Sequence, residues 1–157
     1  MRLEYFQLID RIIDLNLQEL TIRVEANVPA SSTIFEGHFP GRPLMPGVLL
    51  TEAMAQASGW LIIARNRFEK MPFLAALKDV KLRTFVTPGQ SLLVSAKLLH
   101  EGSGFALTEA DIDCEGKQVC NANITFRVVD FPKGEFLENM HEVANRIAFP
   151  MEALAHG

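Results

Sequence analysis

The stretch GHFPGRPLMPGVLLTEAMAQASGWLII, which occupies residues 37 to 63, decides the fold of this chain. Its first eleven residues place three glycines and three prolines around His38. Glycine reaches backbone angles closed to other residues and proline fixes φ, so this loop is predicted to hold one side chain rigidly. The residues that follow predict a helix over 46–67, with Pro46 in its first turn and apolar or small side chains on nearly every side. Such a helix is buried, so the rest of the chain must wrap around it.

The segments on either side of this helix have the pattern of strands. Residues 20–28 alternate between apolar and polar side chains, which is typical of a half-buried strand. Further strands are predicted over residues 11–17, 73–86, 91–99, 105–114 and 119–129, most of them separated by turns that contain glycine. A hairpin before the helix and successive antiparallel strands after it define an α+β fold, with one antiparallel sheet curled around one long central hydrophobic helix.

Both ends of the chain are predicted to be helical. Residues 3–9 predict a short helix, and residues 131–157 predict a helical C-terminal extension of a single domain that spans residues 1–157. In the extension, apolar side chains recur at helical spacing: Phe136, Leu137, Met140, Val143, Ala144 and Ile147. This amphipathic helix either packs on the sheet as an ordinary surface helix or lies over the mouth of a pocket.

Composition excludes several classes of protein. The chain has 157 residues, of which 48% are hydrophobic and 22% charged, as in an ordinary globular domain. A net charge of −4 and the lack of a basic stretch argue against a nucleic-acid partner. The longest apolar run, residues 48–64, contains Glu52 and Gln56, which argues against a transmembrane segment. No signal peptide opens the chain, and Cys114 and Cys120 are predicted to be free thiols, so we expect a cytoplasmic protein.

Two residues of the opening stretch carry the chemistry. A carboxylate on a helix with no exposed face must be neutralised, paired or functional, so Glu52 is either an interface residue paired with an arginine or a general acid or base. Gln56 lies one turn further on the same face, within hydrogen-bonding reach. His38 stands in a loop that fixes its direction, and histidine is the usual side chain for proton transfer near neutral pH. The other histidines, His100, His141 and His156, are predicted to lie on the surface.

Gly47 adds a third function at the start of the central helix. The first N–H groups of a helix lack partners and lie at the positive end of its dipole, so this amide suits a developing oxyanion. A base, an acid and an oxyanion donor together suit removal of a proton next to a carbonyl, followed by loss of a leaving group. The sequence has no cluster at metal-ligand spacing, no phosphate-binding loop and no nucleophile elbow.

The stretch from Gly37 to Leu49, followed by Glu-Ala-Met-Ala-Gln-Ala at residues 52–57, resembles the β-hydroxyacyl-acyl-carrier-protein dehydratases of the FabZ type. Residues 6–12, 78–89 and 122–126 also resemble segments of that family. The resemblance covers about residues 6 to 129 and implies a hot-dog fold, the architecture that the patterning itself predicts.

The resemblance also implies roles for individual residues. His38 and Glu52 would be catalytic, with His38 as base and Glu52 as acid; Gly47 would bind the thioester oxygen, and Gln56, Phe39 and Pro46 would support them. The histidine and the glutamate of one site would come from different subunits, so the resemblance implies a homodimer, in many members assembled as a trimer of dimers. Glutamate rather than aspartate at position 52 favours dehydration without double-bond isomerisation.

The expected partner is an acyl carrier protein that presents a 3-hydroxyacyl thioester on its phosphopantetheine, with no separate cofactor. A locally basic surface would dock it, formed by Arg42, Arg65, Arg67, Lys78, Lys81 and Arg83. Lys70 extends this set. Two alternatives stay open: a hot-dog thioesterase acting on acyl-CoA, and a non-catalytic acyl-binding module. The chain departs from typical members at residues 1–5 and in the extension, which is predicted to contact the acyl tunnel or its entrance.

Overall fold

The computed structural model describes residues 1–155, and its architecture is the predicted α+β hot-dog fold. Six strands form one sheet: β1 (Arg11–Asn16), β2 (Thr21–Asn27), β3 (Lys70–Leu82), β4 (Ser91–Gly102), β5 (Phe105–Cys114) and β6 (Lys117–Asp130). Three helices accompany them: α1 (Thr33–Gly37), α2 (Gly47–Arg65) and α3 (Glu135–Arg146). The strand order is β1-β2-β4-β5-β6-β3, and every neighbouring pair is antiparallel.

The sheet curls around α2, which forms the centre of the core. The alternation in β2 directs Ile22, Val24 and Ala26 inward, where each is fully buried. In α2, Met54, Leu61 and other residues are likewise fully buried. Within residues 1–155, α2 is the one helix long and apolar enough to cross a membrane, and most of it is enclosed by the fold.

One face of α2 is less buried than its composition predicts. Val48 is 75% exposed, and Glu52 and Gln56 are only partly buried. These three residues are four apart, so they form one stripe along the helix. The expectation of a helix without an exposed face is therefore wrong for the single chain, and the open stripe is the one that carries the acid.

The ends of the chain correct two further expectations. The predicted helix over residues 3–9 is a single 3-10 turn, Leu3–Tyr5, which ends where Phe6 adopts a left-handed conformation with φ 54°. The loop after β2 contains the short helix α1, which the sequence analysis missed. Its N-cap is Ser32, whose hydroxyl accepts a hydrogen bond from the N–H of Ile34 at 3.1 Å.

The C-terminal helix α3 starts after β6, and the residues on either side of it are hydrogen-bonded to other parts of the fold. The N–H of Ile12, in β1, donates to the carbonyl of Ile147 at 2.8 Å, just past the end of α3. On the other side, the N–H of Phe131 donates to the carbonyl of Glu69, next to the first residue of β3. Because β1 and β3 are the two edge strands, the segment 131–147, which contains α3, is attached at or next to both edges of the sheet.

Candidate active site

His38 is held by hydrogen bonds at both ends of its loop. Its N–H donates to the carbonyl of Ile34 at 3.0 Å, which ends α1. Its carbonyl accepts from the N–H of Leu44 at 2.9 Å, and the Leu44 carbonyl lies 2.9 Å from the imidazole Nδ1. The next residue, Met45, donates its N–H to Val86 beyond the end of β3, so the loop is tied to the sheet. The imidazole is thus fixed by main-chain groups.

The contact with Leu44 also determines which nitrogen of His38 is available. A carbonyl oxygen can only accept a hydrogen bond, so Nδ1 must carry the proton. Nε2 then holds the lone pair of the neutral imidazole and is the nitrogen that can act as a base. Phe39 supports the ring from one side: the two ring centroids are 4.1 Å apart in a stacked arrangement, and the peptide bond between the two residues is cis.

The glycines and prolines of the loop form the tight turn that follows His38. The N–H groups of Phe39 and Arg42 each donate to the other residue's carbonyl, at 3.1 and 2.9 Å. Gly41 in this turn has φ 73°, a left-handed conformation that other residues adopt only at a cost. The predicted rigid loop is therefore present, and the turn fixes the chain direction into α2.

Glu52 is oriented by Gln56, as the spacing on the helix suggested. The Gln56 Nε2 group donates to Glu52 Oε1 at 3.1 Å and to the carbonyl of Phe6 at 2.7 Å. The Gln56 Oε1 atom accepts from the N–H of Leu8 at 3.3 Å. Both ends of the amide are satisfied, so its orientation is determined by these partners. The N-terminal segment thus fixes Gln56, and Gln56 fixes the carboxylate.

Gly47 and Pro46 form the start of α2. The carbonyl of Pro46 accepts the first helical bonds from Leu49 and Leu50, and the Gly47 N–H lies in the first turn, where intrahelical acceptors are missing. A Cβ on Gly47 would lie 2.4 Å from Cδ1 of Leu82, near the end of β3. The absence of a side chain therefore lets Leu82 of β3 pack directly against the start of the helix.

A cavity of about 420 Å³ extends from Glu52 and Gln56 along α2. The helix contributes one face to it, with Gly59, Trp60 and Ile63 further along. From Glu52 to Ile63 the helix rises about 16 Å at 1.5 Å per residue. The remaining walls are mainly apolar and come from the N-terminal segment, β3, β6 and α3. The side chains of Glu52 and Gln56 line this cavity, whereas His38 of the same chain does not.

The cysteines and the other histidines lie outside this arrangement. Cys114 and Cys120 are free and buried; burial raises the pKa of the Cys120 thiol to about 12, which disfavours a thiolate. His100 is exposed. His141 is not a plain surface residue, because it is partly buried and stacks on Phe68 with ring centroids 4.6 Å apart. His156 lies outside the described residues.

Apart from Lys70, which is partly buried, the predicted docking residues are exposed, and they fall into two groups. Arg42 precedes α2, and Lys78, Lys81 and Arg83 lie on or just after β3, whose Leu82 contacts the start of α2. Arg65 and Arg67 lie at the other end of α2, about 27 Å along a helix of this length. Arg83 donates to Asn121 Oδ1, and Lys70 forms an ion pair with Asp130. The docking residues therefore do not form one continuous patch.

Across residues 1–155, no three His, Cys, Asp or Glu side chains are placed to hold a metal ion.

Comparison with known proteins identifies the class to which this fold and site belong. The model of the FabA-like domain family matches residues 2–123. A 3-hydroxyacyl-[acyl-carrier-protein] dehydratase FabZ of Lactococcus lactis is 38% identical over 122 residues, which cover 77% of this chain and 83% of the relative. The FabZ of Caldicellulosiruptor saccharolyticus is 36% identical over 124 residues, covering 78% and 88%. The chain belongs to the FabZ family of 3-hydroxyacyl-[acyl-carrier-protein] dehydratases.

Solved structures confirm the fold at lower identity. A conserved protein of Pseudomonas aeruginosa superposes with a TM-score of 0.64 at 20% identity, covering 80% of this chain and 93% of that one. A hypothetical thioesterase of Streptococcus pneumoniae, solved with coenzyme A, gives a TM-score of 0.63 at 18% identity, covering 78% and 88%. At these identities the similarity shows the hot-dog fold alone, so it does not favour the thioesterase alternative.

Proposed function

We propose that this protein removes water from a 3-hydroxyacyl thioester carried by an acyl carrier protein and produces the trans-2-enoyl thioester. The observation that supports the proposal best is the contact between His38 Nδ1 and the Leu44 carbonyl. This contact leaves the Nε2 atom of His38 free to act as a base. The same chain belongs to the FabZ family and carries on α2 a carboxylate, Glu52, that Gln56 orients. The reaction takes place in the cytoplasm and needs only groups of the protein.

In the proposed mechanism, His38 Nε2 takes the proton from the carbon next to the thioester carbonyl. Negative charge develops on the thioester oxygen, where the Gly47 N–H and the positive end of α2 stabilise it. The electron pair of the broken C–H bond then forms the new double bond, and the bond to the β-hydroxyl breaks. Protonated Glu52 donates its proton to that hydroxyl, which leaves as water.

The two halves of the site are proposed to meet in a homodimer. β3 pairs with β6 on one side only, and a large apolar surface around it is exposed in the single chain. Its exposed residues are Phe39, Val48, Phe73, Leu74, Leu77, Val80, Leu82 and Phe85. The His38 loop adjoins this surface through the hydrogen bond from Met45 to Val86. A second copy that covers it would bring its His38 towards Glu52, and such dimers are proposed to assemble as a trimer.

The substrate follows from the shape of the cavity and from the family. An apolar cavity that begins at an acid and runs along a buried helix suits an extended acyl chain. We propose that the carrier protein docks near the start of α2, beside Arg42, Lys81 and Arg83. An acidic partner would be steered there, so kcat/KM should fall as salt is added.

A turnover assay with matched variants tests the function. The purified protein is incubated with 3-hydroxyacyl carrier protein, and the conjugated enoyl thioester is followed by ultraviolet absorbance. His38→Ala and Glu52→Gln should each lower kcat/KM by about 10²- to 10⁴-fold. His100→Ala and Glu142→Gln change exposed residues of the same types and should leave it unchanged. Release of free thiol without enoyl product would indicate a thioesterase, and binding without any product would indicate an acyl-binding module.

A further inference from the structure

The cavity next to Glu52 is closed on one side by a helix that lies outside the segment matched by the family model. The FabA-like match ends at residue 123, whereas α3 starts at Glu135. Met140, Val143 and Ile147 of this segment line the cavity, together with the charged Arg146. The three apolar residues are three and four positions apart, so they lie on one face of the helix. The C-terminal extension therefore supplies a mainly apolar wall to the cavity.

The C-terminal extension contacts α2 at Trp60, about two helical turns beyond the carboxylate. Just past α3, the Phe149 ring lies 5.9 Å from Trp60 and 5.3 Å from Phe68, measured between centroids. Trp60 follows Glu52 by about 12 Å along α2, and Phe68 lies beyond the end of that helix. An acyl chain that starts at Glu52 and follows α2 would reach Trp60, and with it the contact to the extension, only after about 12 Å.

The helix is anchored as part of the core. Ala144 and Ile147 are essentially fully buried, and Phe149 is 6% exposed. The hydrogen bond from Ile12 to the Ile147 carbonyl ties the C-terminal end of α3 to β1. At that end, Ala148 adopts φ 54°, and the Phe149 N–H donates back to the Ala144 carbonyl, which terminates the helix in a Schellman motif. A wall fixed in this way can discriminate between ligands by size.

We propose that α3 sets the upper limit of acyl chain length, with Met140 and Val143 as the specificity-determining residues. This inference rests on the proposed function, because it assigns the cavity to the acyl chain. One methylene in an apolar pocket changes affinity by about tenfold or more when it no longer fits. Met140 is the adaptable part of the wall, since its unbranched side chain can fill gaps of different shapes.

The only tryptophan of the chain, Trp60, lines the cavity and gives a binding signal that does not depend on turnover. Straight-chain 3-hydroxyacyl pantetheine thioesters of increasing length are titrated while Trp60 fluorescence is recorded. Val143→Phe should weaken binding of the longest ligands by about tenfold and leave the shortest unaffected. Met140→Ala should extend the range of lengths that bind. The matched control is Glu142→Phe, which adds the same ring on the exposed face of α3.

The readout is the ratio of affinities for long and short ligands within one variant, so a partly unfolded sample cannot imitate the effect. An identical ratio in the wild type and both wall variants would overturn the inference, even if dehydration is observed. Conversely, shifted ratios without any enoyl product would support the end wall and contradict the proposed dehydratase function. A variant that does not fold, judged by its thermal unfolding, is replaced by Met140→Val or Val143→Leu. Because these changes in side-chain volume are smaller, we expect smaller shifts in the same directions as those of Met140→Ala and Val143→Phe.

Discussion

Gln56 Nε2 lies 3.1 Å from Glu52 Oε1 and 2.7 Å from the carbonyl oxygen of Phe6. The same amide accepts a hydrogen bond from the N–H of Leu8, whose side chain is fully buried. The orientation of the carboxylate is therefore coupled to the N-terminal segment, which otherwise has no part in the proposed chemistry. A change at Gln56 should affect both the reaction and the stability of the fold.

Gln56→Ala should lower kcat by about 10- to 100-fold with a smaller change in KM, because the acid is present but no longer held in place. It should also destabilise the fold by about 1–3 kcal/mol, since Leu8 and Phe6 lose the partner of their main-chain groups. Steady-state kinetics and urea unfolding measure the two effects. The matched control is Gln18→Ala, which removes an exposed glutamine side chain. A variant with normal kcat would show that Glu52 needs no orientation.

Mixing two inactive variants tests whether His38 and Glu52 of one site come from different chains. Co-expressed His38→Ala and Glu52→Gln chains form mixed dimers in which one site is wild type and the other lacks both groups. Random pairing should restore about a quarter of the wild-type activity. The homodimers of each variant, mixed without exchange of subunits, serve as the control. No recovery in verified mixed dimers would mean that each site is built within a single chain.

The elements predicted well are those that depend on a repeated pattern. β5 has the predicted bounds, residues 105–114, and α2 lies within the predicted range of 46–67. Alternation and long apolar runs are decided by many residues at once, so single exceptions do not hide them. The 3-10 turn at Leu3–Tyr5 and the helix α1 each depend on a few local hydrogen bonds, which short windows of sequence do not reveal.

The site was predictable in its side chains and not in its main-chain partners. His38, Glu52 and Gln56 stand out because their chemical type and spacing are unusual in an apolar stretch. The carbonyl of Leu44 selects the tautomer of His38, but this contact cannot be predicted from the sequence because every residue carries a main-chain carbonyl. The position of α3 over the cavity depends on tertiary packing between segments far apart in the chain, so its periodicity showed an apolar face but not what that face contacts.

Gly59 offers a test of the path of the acyl chain along α2. It lines the cavity in the middle of the helix, and a Cβ there would lie 3.6 Å from Pro72 Cγ, an ordinary contact. Gly59→Ala should therefore stabilise the fold by about 1 kcal/mol, because alanine favours the helix. The added methyl group should at the same time weaken long acyl ligands more than short ones. Thermal unfolding and the Trp60 titration measure the two effects. If Gly59→Ala stabilises the fold but leaves the relative affinities for long and short acyl ligands unchanged, the acyl chain does not run past Gly59.

The sheet surface facing away from α2 carries an unfavourable charge at Asp111. Burial raises the pKa of this carboxyl, and the neighbouring Asp113 and Glu109 on the same face of β5 raise it further. The native state holds this proton more tightly than the unfolded state, so protonated Asp111 contributes to the stability of the fold. This contribution is complete at pH values below the pKa of Asp111 in the unfolded state, and it is lost as pH rises through its higher pKa in the native state. Asp111→Asn should therefore stabilise the protein at neutral pH, and the gain should vanish in acid below about pH 3.8.

Unfolding by urea across this pH range measures the difference, with Asp14→Asn, an exposed aspartate of β1, as the control. An equal gain for Asp111→Asn at pH 3 and pH 7 would show that ionisation is not its cause. Ser95 and Asn121 face Asp111 from the neighbouring strands, and both are neutral. Neither supplies a positive charge, so Asp111→Asn removes a carboxylate that its directly opposed cross-strand neighbours do not neutralise.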